Sequence, residues 1–190
     1  MDVVSDEDLF KQVQNGRKEA VELIVKRYYK DIFRYIYIKL NDYYTSQDLC
    51  QEVFCKVYKR RDTYSSEYPF KPWLYKIAYH CIIDYTRSSQ YKKQQKVVPI
   101  DTKIKEKKNT IDHALFHNNI NDFIEGLNQG QKEVIKLRFC NELSIEDIAQ
   151  ITGSNINTVK SRLYQGIKHI KNKLETGGEV DEAKKNKRNF

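Results

Sequence analysis

Apolar side chains return every three or four positions along most of the chain, the spacing that gathers them on one face of an α-helix. Leu9 and Val13, then Ala20, Val21, Ile24, Tyr28, Ile32, Tyr35 and Ile36, predict an opening pair of helices broken near Asn15-Gly16. A second pattern starts around Ser46, whose hydroxyl suits a helix cap with Asp48 in the first turn, and runs through Leu49, Val53 and Val57 to Arg60. A third follows Pro72 with Trp73, Ile77, Ala78, Cys81, Ile82 and Tyr85. Between these two lies a loop, residues 62–71, rich in Tyr, Ser and Pro.

The pattern lapses over residues 88–112, where seven Lys face only Asp101, Glu106 and Asp112 and large apolar residues are few. Such a composition cannot bury a core and predicts a linker, extended or partly disordered. Periodicity resumes with Ile120, Phe123, Ile124 and Leu127, then Val134, Ile135, Leu137 and Phe139, and ends near Leu174. The polar tail beyond it is expected to be disordered. No alternating stretch lasts long enough for a strand. The expected fold is all-α: two small helical domains, 1–92 and 119–176, joined by a basic linker, 93–118, with a loose tail, 177–190.

Charge and composition narrow the class. The 190 residues carry 34 Lys and Arg against 26 Asp and Glu, a formal charge of +8. No run approaches the ~18 apolar residues of a membrane-spanning helix. The start, MDVVSDEDLF, is acidic rather than basic and then apolar, unlike a secretory signal. Cys50, Cys55, Cys81 and Cys140 are scattered without a CxxC pair, so they are expected to be packing residues in a reducing cytoplasm. His113 and His117 have a metal-capable spacing but no third ligand nearby, and neither a metal nor another cofactor is expected.

The sharpest local signal is residues 143–165, LSIEDIAQITGSNINTVKSRLYQ. Ser144 can cap a short helix with Glu146 and Asp147 in its first turn and Ile145, Ile148, Ala149 and Ile151 buried. Ala149 is small where a second helix crosses, and Gly153 permits the positive φ of a tight turn. Asn155 can cap a second helix with Ile156, Val159 and Leu163 inward. That leaves Asn157, Thr158, Lys160, Ser161, Arg162, Tyr164 and Gln165 on or near the outer surface. This is a helix-turn-helix pattern with a basic, polar second helix. Lys160 and Arg162 can neutralise phosphates or donate to guanine, and Asn157 and Gln165 can pair with adenine.

Thirteen of the fourteen tyrosines, and the sole Trp, lie in residues 1–91. Tyr28, Tyr35 and Tyr58 read as core. The cluster Tyr64, Tyr68, Phe70, Trp73, Tyr75 and Tyr79 is instead interleaved with Lys71, Lys76, His80 and Arg87. Aromatic faces beside cations can stack on unpaired bases while the charges follow the backbone. Asp48, Gln51 and Glu52, followed by Lys56, Lys59, Arg60 and Arg61, form a charged face that is either solvated or a docking surface.

Together these segments resemble the extracytoplasmic-function (ECF) sigma factors, the short class of the bacterial primary sigma superfamily. DLCQEVFCKVY (48–58) is similar to that family's region-two helix, and PFKPWLYKIAYHCIIDYTR (69–87) to its promoter-melting helix. LNQGQKEVIKLRFCNELSIEDIAQITGSNINTVKSRL (127–163) is similar to its region four. The resemblance implies binding to core RNA polymerase, with Asp48, Gln51 and Glu52 as contacts. It implies capture of the unpaired minus-ten strand by Tyr64, Tyr68, Phe70, Lys71, Trp73, Lys76, Tyr79, His80 and Arg87. It also implies minus-thirty-five readout by the helix from Ile156, a linker threading the polymerase cleft, and inhibition by an anti-sigma factor, often membrane-anchored. Trapping an extruded base offsets a few kcal/mol of unstacking, so melting needs no ATP. Two positions depart from the family: His80 stands where an Asn is expected, and Gln165 where a basic residue often follows the Ser-Arg pair.

The alternative is a stand-alone helix-turn-helix regulator whose N-terminal half senses a ligand or dimerises. It would bind duplex DNA unaided on a palindrome. A metal-dependent nuclease using His80 with Asp84 is a more distant reading, and no motif makes a positive case for an enzyme.

Overall fold

The computed structural model describes the backbone of residues 4–88, 91 and 123–186, and side chains as far as 175. Among these residues every regular element is helical. The chain divides into two compact units. The expected linker 93–118, which contains His113 and His117, lies outside the described residues, as does Ile120 of the expected second domain.

In the first unit, α1 (Asp6–Gln14) is capped by Ser5, whose hydroxyl accepts from the Asp8 amide at 3.1 Å. Its acidic first turn suits the positive end of the helix dipole. Gly16, at φ 81°, turns the chain into α2 (Lys18–Leu40), where the expected break falls. The buried stripe of α2 is Ala20, Ile24, Tyr28, Ile32, Tyr35 and Ile36, so Tyr28 and Tyr35 are core as anticipated.

α3 (Tyr43–Lys59) begins one turn before Ser46. Asn41 closes α2 in the left-handed region at φ 53°, and Asp42 then caps α3 by accepting from the Thr45 amide at 2.9 Å. Ser46 is buried inside the helix and donates to the Asp42 carbonyl at 2.5 Å. Tyr58, expected in the core, is instead exposed with the Arg61 guanidinium 4.6 Å from its ring centre. A 3-10 turn (Arg61–Thr63) leads to the loop before α4 (Phe70–Arg87). That helix starts two residues before Pro72, because a proline in the first turn forfeits only an N–H that has no partner within the helix. Phe10, Ile24, Ile32, Ile36, Phe70, Leu74, Tyr75 and Ile82 are the large, fully buried side chains at its centre. Each contributes on the order of 1.5–3 kcal/mol by leaving water.

Among the described residues of the second unit, α5 (Gln129–Ile135) is capped reciprocally by Asn128 and Gln131 and is followed by a π-helical turn (Lys136–Cys140). α6 (Ile145–Thr152) is capped by Ser144, which accepts from the Asp147 amide at 3.0 Å while Asp147 accepts from the Ser144 amide at 3.2 Å. Gly153 takes φ 63°, and Asn155 accepts from the Asn157 amide at 2.8 Å at the start of α7 (Ile156–Asn186). Both features are those the helix-turn-helix pattern requires. Val159 is buried and Leu163 packs on the Ile124, Leu127 and Ile135 cluster, but Ile156 is exposed, since the first residue of α7 precedes the helix crossing. α7 also runs to Asn186, past the expected boundary at 177. Once a helix is nucleated each added residue gains a hydrogen bond, so Gly177 and Gly178, at about 1 kcal/mol each, do not end it.

Candidate nucleic-acid interface

The loop at 64–69 and the first half of α4 form an aromatic surface with a buried foundation. Tyr68 is 62% exposed, and Trp73 is half-buried with its ring 5.2 Å from Tyr64, 5.3 Å from Phe10 and 5.8 Å from Phe70. Tyr64 and Phe70, expected on the strand-binding surface, are 5% and 0% exposed. They cannot stack on a base without leaving the core, so they lie beneath the surface instead. The Tyr64 hydroxyl donates to the Tyr68 carbonyl at 2.6 Å and ties the loop tip to that foundation. Burial, with the Glu7 and Asp6 charges, pushes the Tyr64 hydroxyl up to about 12, so it stays a donor at neutral pH.

Further along α4, Trp73, Lys76 and His80 follow i, i+3, i+7 and share one face, with Arg87 exposed two turns on. Lys71, in the first turn, is half-buried. Tyr79 lies on the adjacent face, edge-on to His80 at 5.6 Å and with the Lys39 ammonium 5.0 Å from its ring centre. Tyr75 is fully buried against Tyr35. His80 and Asp84 are both exposed, and among the described residues no three His, Cys, Asp or Glu side chains converge on a metal-sized site.

Asp48, Gln51 and Glu52 are all exposed on α3. Glu52 pairs with Lys56 at 2.7 Å, and that hydrogen bond holds the lysine in its charged form by raising its pKa. Beside them lies a feature missing from the sequence reading: Tyr29, Phe33 and Tyr37 stack along α2, and Phe54 and Tyr43 of α3 extend the row. Its i, i+4, i+8 spacing was visible in the sequence, hidden among many other aromatic residues.

In the second unit, Asn157, Thr158, Lys160, Ser161, Tyr164 and Gln165 are exposed along the first turns of α7. Arg162 is only half-buried and is engaged, donating to the Ser154 hydroxyl at 3.1 Å and packing against Gly130. The Gln165 side-chain oxygen accepts a hydrogen bond from the side-chain nitrogen of Gln131 at 2.8 Å. The polar helix therefore presents a partly pre-organised set of donors and acceptors.

Residues 24–91 match the family model of Sigma-70 region 2, and residues 117–170 match that of Sigma-70, region 4. SigV of Bacillus subtilis, an RNA polymerase sigma factor, is 33% identical over 149 residues, spanning 76% of this chain and 85% of that protein. The chain belongs to the ECF sigma factors. The ECF RNA polymerase sigma-E factor of Haemophilus influenzae is 28% identical over 185 residues, covering 90% of this sigma factor and 96% of the relative. In fold, this sigma factor is similar to CnrH, solved in complex with the cytosolic domain of CnrY: TM-score 0.68, 18% identity, 90% of this chain and 97% of the other. It is also similar to the sigma factor RpoE of Bartonella quintana, solved with the anti-sigma factor NepR: TM-score 0.60, 21% identity, 81% and 96% covered. As an alternative sigma factor, the protein works with core RNA polymerase on promoter DNA and directs transcription initiation, which favours this reading over a stand-alone regulator. No helix among the described residues is long and apolar enough to cross a membrane.

Proposed function

We propose that this sigma factor opens promoters by capturing the unpaired minus-ten strand on the surface of Tyr68, Lys71, Trp73, Lys76, Tyr79, His80 and Arg87. Tyr64 and Phe70 act from beneath by holding Trp73 and the loop in place. The observation that carries this reading is the exposed Tyr68 and half-open Trp73 on a rigid aromatic base, with Lys76 and His80 continuing the same face. Stacking is worth about 1–3 kcal/mol per base, enough to offset the unstacking of one or two extruded bases.

Asp48, Gln51 and Glu52 dock core polymerase, and Asn157, Thr158, Lys160, Ser161, Arg162, Tyr164 and Gln165 read the minus-thirty-five element in the major groove. The protein acts in the cytoplasm, where core polymerase is, and is held in check by an anti-sigma factor. Permanganate footprinting of the reconstituted holoenzyme tests the capture surface. Trp73→Ala and Tyr79→Ala should reduce open-complex reactivity far more than closed-complex binding, and unchanged opening in both would refute the assignment.

A further inference from the structure

Helix α1 grips the strand-capturing loop at both ends. At the near end, the Gln14 side-chain amide donates to the carbonyl of Arg61 at 2.8 Å and to that of Tyr64 at 2.9 Å, spending both its protons on the chain just before the loop tip. At the far end, a Glu7 carboxylate oxygen accepts from the Phe70 amide at 3.0 Å. That amide is one of the N–H groups at the start of α4 with no partner inside the helix, and Pro69 supplies no side-chain cap. Between the two grips, the fully buried Phe10 ring sits 5.2 Å from Tyr64, 4.6 Å from Phe70 and 5.3 Å from Trp73. The helix is itself anchored: Asp6 accepts from Arg27 and from the Tyr28 hydroxyl of α2.

The contacts to the loop and α4 span 47 to 63 residues of sequence and run along the whole of one short helix. Burying a core needs Leu9, Phe10 and Val13 only. It does not need polar side chains aimed at the backbone on either side of an exposed loop. The matched region-two model begins at residue 24, so α1 lies wholly outside it.

We infer that α1 is a brace for promoter opening, with Glu7 and Gln14 as positioning residues that hold the loop at 64–69 and the start of α4 in strand-receiving geometry. This rests on the reading of that loop as the minus-ten capture surface. The brace removes conformational freedom from the loop before the strand arrives, so less ordering remains to be done on binding.

The test uses full-length protein assembled with core polymerase, on a promoter mapped by run-off transcription. Three quantities are measured: affinity for core, closed-complex binding to the duplex, and capture of the fluorescein-labelled minus-ten non-template single strand. Gln14→Glu is nearly isosteric but turns a carboxylate towards two carbonyl oxygens. Glu7→Leu removes the acceptor, whereas Glu7→Gln keeps one. Gln14→Glu and Glu7→Leu should weaken strand capture about tenfold with core and closed-complex binding unchanged, and Glu7→Gln should stay near wild type. Tyr68→Ala should cost much less in the Gln14→Glu background than alone, because the brace acts through the loop that carries Tyr68. Wild-type capture with undiminished capture in both Gln14→Glu and Glu7→Leu overturns the brace. So does parallel loss of core binding in these variants, which marks a fold-wide role. Failure of the wild-type holoenzyme to capture the strand at all overturns the capture surface instead.

Discussion

Gln131, at the start of α5, donates from its side-chain nitrogen to the side-chain oxygen of Gln165 on α7, at 2.8 Å. The direction of that bond is set by a backbone group. The Asn128 amide, which can only donate, gives its proton to the Gln131 oxygen at 3.0 Å. With that oxygen turned to Asn128, the nitrogen is the end of the Gln131 amide that faces Gln165, and a nitrogen with two protons requires an acceptor. A helix cap in α5 thereby decides which end of the Gln165 amide faces inward.

Gln131→Glu should therefore reverse Gln165. The new carboxylate still accepts from the Asn128 amide, so the cap survives, but it has no proton for the Gln165 oxygen and attracts its nitrogen. Base preference should change at one position of the minus-thirty-five element, while thermal stability shifts by less than about 1 kcal/mol. Selection of holoenzyme-bound duplexes from a pool randomised over that element reads this directly. An unchanged preference would show that Gln165 does not contact a base.

Gly166→Ala should destabilise the second unit. A Cβ there would meet Ile135 Cγ1 at 2.8 Å and Cδ1 at 2.9 Å, in the core between α5 and α7. Overpacking of about 1–3 kcal/mol outweighs the roughly 1 kcal/mol that alanine gains in helix propensity. Pairing it with Ile135→Ala should cost less than the two changes summed, as read by urea unfolding.

The sequence announced both the two-domain helical plan and the helix-turn-helix, because hydrophobic period, the Ser144 and Asn155 caps and Gly153 all act over a few residues. What it could not display were contacts made across the fold. Glu7 and Gln14 look like ordinary polar positions until α1 is laid against Arg61, Tyr64 and Phe70. The same holds for Tyr64 and Phe70: aromatic residues beside lysines read as surface, and only packing against Phe10 reveals them as foundation. Ala149 is legible as the small residue at a crossing, but Gly166, where an added Cβ would meet Ile135 at 2.8 Å, is not marked by helix periodicity.

Tyr68 and Phe70 should separate function from folding. Phe70→Ala empties a fully buried site and should cost about 3–5 kcal/mol of stability. Tyr68→Ala, at an exposed position, should leave the melting temperature within about a degree or two and still impair promoter opening. Thermal unfolding and permanganate reactivity on the same two variants make the comparison.

The cysteines should differ sharply in reactivity. Cys50, Cys81 and Cys140 are buried and Cys55 is exposed. Native protein treated with iodoacetamide near pH 7.5 should be alkylated at Cys55 alone among the four, as peptide mass spectrometry would show. Burial pushes the Cys50 thiol up from 9.0 to about 12, so the fold favours its protonated form. The stability this contributes is complete below pH 9 and is lost as pH rises towards 12. Cys50→Ala should unfold with a shallower pH dependence across that window.

This chain should confer promoter specificity on core polymerase. Run-off transcription on a fragmented genomic library, with purified core enzyme alone and with the protein added, tests it most directly. Discrete new start sites should appear only with the protein, and their upstream sequences should align into two elements. No new transcripts, together with tight binding of the lone protein to a palindromic duplex, would contradict it.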